Sequence, residues 1–453
     1  MAASCHEERC LAKLLDLIRR HQDDAPLILL FAAGIVGAYT QATLPARHGG
    51  EMWNLAWNLA DHGTFANPFS PLKTGPTASN PPLAPLLTSA LIRIFRAPFL
   101  IYMSSALLSI LANAFSAALL PRLSRVFFGD AVPGIFAACL WLPTMQVIPG
   151  WDTNYTSAAL IYFACLTASI LGSGADSKWG ASVGAGVLAA ALCLLNPSTL
   201  LVWFPWLVYL YVRFGIRSRR AVQSIAIILS IAFIASAGWA LRNQRALGSF
   251  VIRTRLGSVL YVSNNDCAQP TILQEEMSGC FHSFDPNASI AEAEKLQQLG
   301  EIRYDKLRES NAMEWIRTHP GRFAKLAWAR FVFFWFPKAD SIPSVFSFGE
   351  NFGDRDYMEQ WQNRERRVAY AISASTLLSC LGLALMLHAR LPVVWFVIVS
   401  LGLYPLMYYV IIADVRYRDP VLWISLLPAG YFLTRLFDRG NPSSLRNAEA
   451  PQS

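Results

Sequence analysis

Long apolar runs, separated by short polar segments, recur along the 453-residue chain. A helix needs about 20 predominantly apolar residues to cross the hydrocarbon core of a bilayer, and most runs approach that length. Tilting or local thinning of the bilayer is expected where a run is shorter. The pattern predicts about ten transmembrane helices, at approximately residues 26–45, 98–120, 131–148, 155–172, 180–195, 197–213, 221–240, 367–388, 391–411 and 419–436.

Two further apolar stretches are interpreted as juxtamembrane helices. Residues 82–95 are opened by prolines and closed by Arg93 and Arg96, and residues 323–336 contain Lys325 and Arg330. Counting 82–95 as a crossing would move the arginine-rich connection at 213–220 to the exported side, against the positive-inside rule. The predicted fold class is an all-α polytopic membrane protein.

Composition supports a membrane protein and excludes several function classes. Hydrophobic residues make up 54% of the chain and charged residues 15%, whereas soluble domains have about 25% charged residues. The net charge of +8 does not indicate a nucleic-acid partner, because Arg and Lys gather at the ends of apolar runs. No zinc-ligand spacing, P-loop or dinucleotide fingerprint is present.

Charge placement predicts the orientation and the domain organisation. The connection at 213–220 contains four arginines and no acid, so it is predicted to be cytoplasmic. The run after the basic N-terminal residues is interpreted as an uncleaved signal anchor. The segments are a cytoplasmic N-terminal segment (1–25), a transmembrane bundle (26–240) containing the first exported loop (46–97), an exported region with a juxtamembrane helix (241–366), C-terminal transmembrane helices (367–436) and a cytoplasmic tail (437–453). Residues 149–154 and 412–418 are short exported turns.

The first exported loop contains an amphipathic helix. Residues 51–62 have an apolar stripe opposite a polar one, and Gly63 suits the C-cap. We expect this helix to lie in the membrane interface with its carboxylates facing water. Asp61 is expected to be solvated, whereas Glu51 follows two glycines at the positive helix end, where a carboxylate can be held. The apolar stripe is Met52, Leu55, Ala56, Leu59 and Ala60; the polar stripe is Glu51, Asn54, Asn58 and Asp61.

The second exported region is predicted to contain a helix over residues 289–318, capped by Asn287 or Ser289 and followed by Pro320. It also contains Cys267 and Cys280, which would form a disulfide in an oxidising compartment if their geometry allowed it. The sequence leaves that pairing open.

A series of short motifs extends from residue 50 to residue 420. In this order they resemble the motifs of bacterial GT-C glycosyltransferases, family 39-like membrane enzymes related to protein O-mannosyltransferases and to the aminoarabinose transferases of lipid A. The motifs are Gly50-Glu51-Met52, Asn58-Leu59-Ala60, Thr74-Gly75-Pro76-Thr77-Ala78, Pro81-Pro82-Leu83, Leu195-Asn196-Pro197-Ser198, Trp239-Ala240-Leu241-Arg242-Asn243, Gly248-Ser249-Phe250-Val251, Asn264-Asn265, Gly300-Glu301-Ile302-Arg303-Tyr304, His319-Pro320-Gly321-Arg322-Phe323 and Arg416-Tyr417-Arg418-Asp419-Pro420.

The resemblance implies a GT-C-like bundle of about 10–11 transmembrane helices with juxtamembrane helices and an exported loop region. It further implies a hexosyl- or pentosyltransferase of the bacterial inner membrane, with its active site on the periplasmic side. Such an enzyme moves a sugar from a polyprenyl-phosphate donor to an acceptor hydroxyl on a lipid, a glycan or a protein. The resemblance names no obligatory cofactor and leaves a divalent metal open.

In that group a carboxylate of the first exported loop is the usual candidate base, often within an Asp-Glu pair. Here the matching position is Gly50-Glu51, so one acid is absent. Either Glu51 serves alone, or the chain acts differently or is inactive. A second acid commonly lies in the next exported loop, where this chain has Asp152.

The residues support the same chemistry independently. A positioned carboxylate can accept the acceptor's proton, and arginines can hold the departing phosphate. For Arg242, which shares a basic patch with Arg245, Arg253 and Arg255, the alternative is interfacial snorkelling. For Arg416 and Arg418 the alternative is an ion pair with Asp414 or Asp419. The predicted catalytic residues are Glu51 and Asp152, the predicted substrate-binding residues are Asn58, Arg242, Asn243, Arg253, Arg416, Tyr417 and Arg418, and no metal ligand is predicted.

Two other functions stay open. A lipid or glycan transporter would place ionisable residues at mid-bilayer and show internal repeats, and the spans contain almost no charge and no evident inverted halves. A non-catalytic scaffold with the GT-C fold is compatible with the absent acid.

Overall fold

The computed structural model describes residue 13 and residues 15–42, 50–69, 72–172, 179–215, 218–338 and 355–438. Predictions for the first twelve residues, Arg217, and residues 43–49, 339–354 and 439–453 lie outside the described residues.

Helices make up most of the described chain. The first half contains α1 (Ala25–Ala42), α2 (Glu51–His62), α3 (Leu83–Phe95), α4 (Pro98–Phe128), α5 (Val132–Thr144), α6 (Thr153–Gly172), α7 (Trp179–Leu195), α8 (Leu200–Leu210) and α9 (Arg219–Leu247). The second half contains α10 (Leu256–Ser263), α11 (Ile272–Met277), α12 (Cys280–Phe284), α13 (Ile290–Leu299), α14 (Glu301–Thr318), α15 (Pro320–Trp335), α16 (Arg355–His388), α17 (Val393–Leu403), α18 (Leu406–Val410) and α19 (Asp419–Asp438).

The predicted all-α membrane architecture is confirmed. Each predicted span overlaps one of these helices, except 391–411, which overlaps two. Within the described ranges, six helical segments are long and apolar enough to cross a bilayer. Shorter apolar helices lie at Ala25–Thr40, Leu83–Phe95, Val132–Thr144 and Trp179–Leu195. The chain is therefore a multi-pass membrane protein.

The helix nearest the C-terminus among the described residues, α19, lies at the centre of the bundle and packs against α5, α6 and α16. Two glycines allow this close approach. A β-carbon on Gly382 would lie 1.9 Å from the carbonyl oxygen of Pro428, and one on Gly430 would lie 1.9 Å from that of Pro133. Lipid tails are as apolar as leucine, so close packing of small residues, rather than hydrophobicity alone, holds membrane helices together.

Two predicted helices are interrupted. The helix predicted over 289–318 is divided into α13 and α14 at Gly300, whose φ of +74° an L side chain rarely adopts. Of the two predicted caps, it is the Ser289 side chain that accepts the hydrogen bond, from the Glu292 N–H. The span predicted over 391–411 is divided at Pro405 into α17 and α18, because proline cannot donate the helical hydrogen bond.

Candidate functional site

Glu51 is the first residue of α2, and its carboxylate is held on both oxygens. Oε1 lies 2.6 Å from Nη2 of Arg255 and accepts a hydrogen bond of 2.5 Å from the Asn287 amide. Oε2 accepts a hydrogen bond of 3.1 Å from the Asn80 amide. The Glu51 side chain is 12% exposed, so it faces the protein interior rather than water, unlike the exposed Asp61 at the other end of the helix. Three segments that are distant in sequence therefore converge on one carboxylate.

Arg255 bridges Glu51 to a second acid. Its Nη2 also lies 2.8 Å from Oδ2 of Asp285, and its guanidinium lies 5.0 Å from the centroid of the Phe69 ring. Burial lowers the pKa of Arg255, but the charges of Glu51 and Asp285 more than offset this, so the pKa is raised. Arg255 is therefore a permanent cation between two acids. The basic patch in the sequence included Arg255, but no sequence signal paired it with Asp285.

Gly50 explains why no acid stands beside Glu51. Its φ of +90° lies in the region that favours glycine, so any L side chain there would be strained. Space is not the obstacle, since a β-carbon would lie 3.8 Å from the Trp151 ring, an ordinary contact. The backbone that presents Glu51 is thus incompatible with an unstrained acid at position 50.

Asp152 and Arg416 form the neighbouring part of the site. Oδ2 of Asp152 accepts a hydrogen bond of 3.2 Å from the Asn196 amide. The pKa of Asp152 is raised by burial, which the charges of Arg253 and Arg416 oppose. Arg416 pairs with Asp414 at 3.0 Å, and its guanidinium lies 4.3 Å from the centroid of the Trp151 ring.

The Trp151 ring connects the two parts. A β-carbon on Gly50 would lie 3.8 Å from this ring, and the Arg416 guanidinium lies over it. Tyr417 accompanies Arg416 and stacks on Tyr408 with ring centroids 4.7 Å apart. The structure therefore brings Glu51, Asp152, Arg416 and Tyr417 to one region.

Arg253 reaches the same region through the first exported loop. Its Nε donates a hydrogen bond of 2.9 Å to the Ser79 carbonyl, next to the Asn80 that binds Glu51. Among the predicted phosphate ligands, Arg253 and Arg416 are thus the ones that the structure places beside the two acids.

Four other predicted site residues make structural contacts: three of them hold loops in place, and Arg418 joins α15 to α16. Arg242 donates to the carbonyls of Thr77 and Phe65, at 2.7 and 2.8 Å. The remaining contacts are those of Asn243 with the Val251 carbonyl (2.8 Å), of Asn58 with the Thr64 carbonyl (2.7 Å) and of Arg418 with the Trp335 carbonyl (3.1 Å) and the Thr376 hydroxyl (2.7 Å).

Glu301, which belongs to the motif Gly300-Glu301-Ile302-Arg303-Tyr304, fastens the first exported loop. Its Oε1 accepts hydrogen bonds from the Ala78 N–H, at 2.8 Å, and from the Thr254 hydroxyl. Burial raises the pKa of Glu301, and these hydrogen bonds oppose the rise. The loop and the segment containing Arg253 and Arg255 are thereby joined at one buried carboxylate.

Cys267 and Cys280, whose pairing the sequence left open, form a disulfide with Cα atoms 5.7 Å apart.

A divalent metal does not fit between Glu51 and Asp285, because the Arg255 guanidinium lies between their carboxylates. Among the described residues, no group of three or more His, Cys, Asp or Glu is arranged to hold a metal ion.

Comparison with known proteins identifies the architecture. No protein-family model matches the chain, and no curated protein matches it in sequence. An oligosaccharyltransferase of Archaeoglobus fulgidus, tethered by a disulfide to an acceptor peptide containing the NVT sequon, superposes with a TM-score of 0.51 at 13% identity, covering 94% of this chain and 50% of that one. The fold is of the GT-C type.

A second solved structure, archaeal oligosaccharyltransferase AglB from Archaeoglobus fulgidus with an inhibitory peptide and a dolichol-phosphate, matches with a TM-score of 0.48 at 14% identity, over 96% of this chain and 53% of that one. The chain spans about half the length of the oligosaccharyltransferase chains that it matches.

Within the GT-C fold, the site lies at one end of the helical bundle. Helix α9 has 29 residues and extends about 43 Å at 1.5 Å per residue. Arg242 and the segment containing Arg253 and Arg255 lie at its C-terminal end, while Arg219 and Arg220 lie at its N-terminal end. The site and the basic residues therefore lie at opposite ends of a helix that is longer than the hydrocarbon core of a bilayer, which is about 30 Å thick.

Proposed function

We propose that the chain is a membrane glycosyltransferase that moves a sugar from a polyprenyl-phosphate donor to an acceptor hydroxyl. The observation that carries the proposal is the convergence of Glu51, Asp152, Arg253 and Arg416 at one end of a GT-C bundle. A carboxylate and several guanidinium groups are what transfer from a phosphate-linked sugar requires.

In the proposed reaction, the acceptor oxygen forms a bond to the anomeric carbon of the sugar as the bond between that carbon and the phosphate oxygen breaks. Glu51 receives the hydroxyl proton, and the phosphate leaves with the bonding electrons. Arg253 and Arg416 stabilise its developing charge, because a guanidinium can bond two phosphate oxygens. Asp152, beside both arginines, orients the acceptor.

The position of the site fits a lipid-linked donor. It lies where apolar helices end, so a polyprenyl chain can stay in the bilayer while its phosphate reaches the arginines. The arginine-rich connection at the opposite end and the Cys267–Cys280 disulfide support a site on the exported face. We assign the protein to the bacterial inner membrane, with the site facing the periplasm and a lipid, glycan or protein as acceptor.

The test is Glu51→Gln in the purified full-length protein. Transfer or hydrolysis would be measured with a panel of polyprenyl-phosphate-linked hexoses and pentoses. We expect a loss of about 10²–10⁴-fold in rate, the usual contribution of a general base. Asp61→Asn is the matched control, since Asp61 belongs to the same helix but forms an exposed pair with Arg96 at 3.0 Å.

Asp61→Asn is expected to keep the wild-type rate. Full activity in Glu51→Gln would refute the assignment of the base, and the absence of transfer from every donor in the wild-type protein would refute the proposed function.

A further inference from the structure

We propose that Asp285 is a positioning residue of this site: through the guanidinium of Arg255, it holds the Glu51 carboxylate where it can accept the acceptor's proton. The inference rests on the proposed function.

The first support is the shared nitrogen. Since Nη2 of Arg255 lies 2.6 Å from Glu51 and 2.8 Å from Asp285, the two carboxylate oxygens are at most 5.4 Å apart. If Arg255 paired with Glu51 alone, its guanidinium could move together with the Glu51 carboxylate or away from it. Asp285 fixes the guanidinium from the other side, so Arg255 holds the Glu51 carboxylate in one place.

The second support is the turn that follows Asp285. Oδ1 of Asp285 accepts a hydrogen bond of 2.8 Å from the Asn287 N–H, and the Asn287 side chain donates to Glu51. Pro286, between them, restricts the backbone of the turn. The same three-residue turn therefore contacts Glu51 directly through Asn287 and indirectly through Arg255.

The third support is the backbone of Arg255. Its φ of +79° is unusual for a long side chain, and such conformations persist only where surrounding contacts impose them. The Arg255 side chain is 9% exposed, and its Nη1 is buried without a hydrogen-bond partner among the described residues. The protein thus maintains both a strained backbone and an unsatisfied donor in order to keep this guanidinium between the two acids.

The charges around Asp285 are consistent with this role. Burial raises its pKa, Arg255 opposes the rise, and Glu51 and Glu292 add to it. Glu292 is itself paired with Arg308 and accepts a hydrogen bond of 2.7 Å from the Tyr304 hydroxyl. Because Glu292 has its own cation, Arg255 is the cation that Asp285 and Glu51 share.

A double-mutant cycle on kcat tests the proposal. Asp285→Asn removes the charge that fixes Arg255, and Glu51→Asp shortens the base so that it withdraws from Arg255 while staying an acid. We expect Asp285→Asn to lower kcat about 10- to 100-fold, the effect of a misplaced catalytic group, with KM changed less than about twofold. In the Glu51→Asp background the same substitution should change kcat less than about twofold, because the alignment is already lost.

Glu275→Gln is the matched control. Glu275 is a fully buried carboxylate of the same exported region, and it accepts a hydrogen bond from the Gln269 N–H rather than contacting Glu51. It is expected to keep the wild-type kcat. If the effects of Asp285→Asn and Glu51→Asp multiply, or if Asp285→Asn behaves like Glu275→Gln, Asp285 has no positioning role.

Failure of the proposed function gives a different result. If the wild-type protein transfers no sugar, thermal unfolding of the wild type, the two single variants and the double variant still measures the coupling. Additive losses of melting temperature would overturn the link between Asp285 and Glu51. Non-additive losses would support the link in a protein with a different chemistry.

Discussion

Arg242 offers a test of how the first exported loop is kept in place. Its Nη1 donates to the Thr77 carbonyl at 2.7 Å and its Nη2 to the Phe65 carbonyl at 2.8 Å, so one guanidinium clamps both sides of the loop. Replacing Arg242 with lysine keeps the charge but removes the fork. An ammonium group can reach one carbonyl or the other, not both.

The magnitude follows from the hydrogen bond that is lost. A hydrogen bond from a charged donor contributes about 1.5–3 kcal/mol. Every 1.4 kcal/mol is a tenfold change in an equilibrium, so the loop should open between about 10 and 150 times more often. The guanidinium also lies 5.0 Å from the centroid of the Trp239 ring, and loss of that stacking acts in the same direction.

Hydrogen exchange measured by mass spectrometry is the assay. Peptides covering residues 64–80 should lose protection by that factor in Arg242→Lys, while α10 keeps its protection. Arg245→Lys, three residues further along the same helix and exposed, is the control. Unchanged protection in Arg242→Lys, combined with weaker binding of polyprenyl phosphate, would refute the clamp and support the phosphate-binding role that the sequence suggested.

Two further predictions concern the second exported region. Burial raises the pKa of Glu275 to about 7, so its protonated form favours the folded state. The stability that it contributes is present below its unfolded pKa of about 4.3 and is lost as the pH rises through 7. The melting temperature of the wild type should therefore be lower at pH 8 than at pH 5 as far as Glu275 is concerned. Glu275→Gln should abolish that part of the pH dependence. Breaking the Cys267–Cys280 disulfide, which closes a loop with a sequence separation of 13, should destabilise the segment by about 3 kcal/mol. Limited proteolysis of Cys280→Ser should show faster cleavage there, whereas Cys139→Ser, at an exposed free cysteine, should not.

The membrane helices could be predicted because the bilayer imposes a length and a polarity on every span. The same physics does not specify breaks such as the one at Gly300, where a helical pattern continues through a residue with positive φ. The α2 helix was predictable down to its Gly63 C-cap, because its signals are local.

The candidate site was predictable only in part. Glu51 stands out beside two glycines at a helix start, but its partner Asn287 is 236 residues away in the sequence. Asp285 looks like an ordinary acid of a balanced, soluble segment until the fold brings it to Arg255. Arg242 and Arg253 both look like phosphate ligands in the sequence. The structure adds that each donates a hydrogen bond to a backbone carbonyl of the first exported loop and so helps to hold that loop in place.

The order in which the site is assembled follows from where its members lie along the chain. Backbone hydrogen bonds join the segment around Pro270 and Ile272 to Ala413, two residues before the 3₁₀ turn that contains Arg416. At a ribosomal rate of about 5–20 residues per second, Arg416 is synthesised roughly 20 to 70 s after Glu51. Throughout that interval the nascent chain contains Glu51 but not Arg416, so the pocket can be completed only when the segment that leads into α19 has been made.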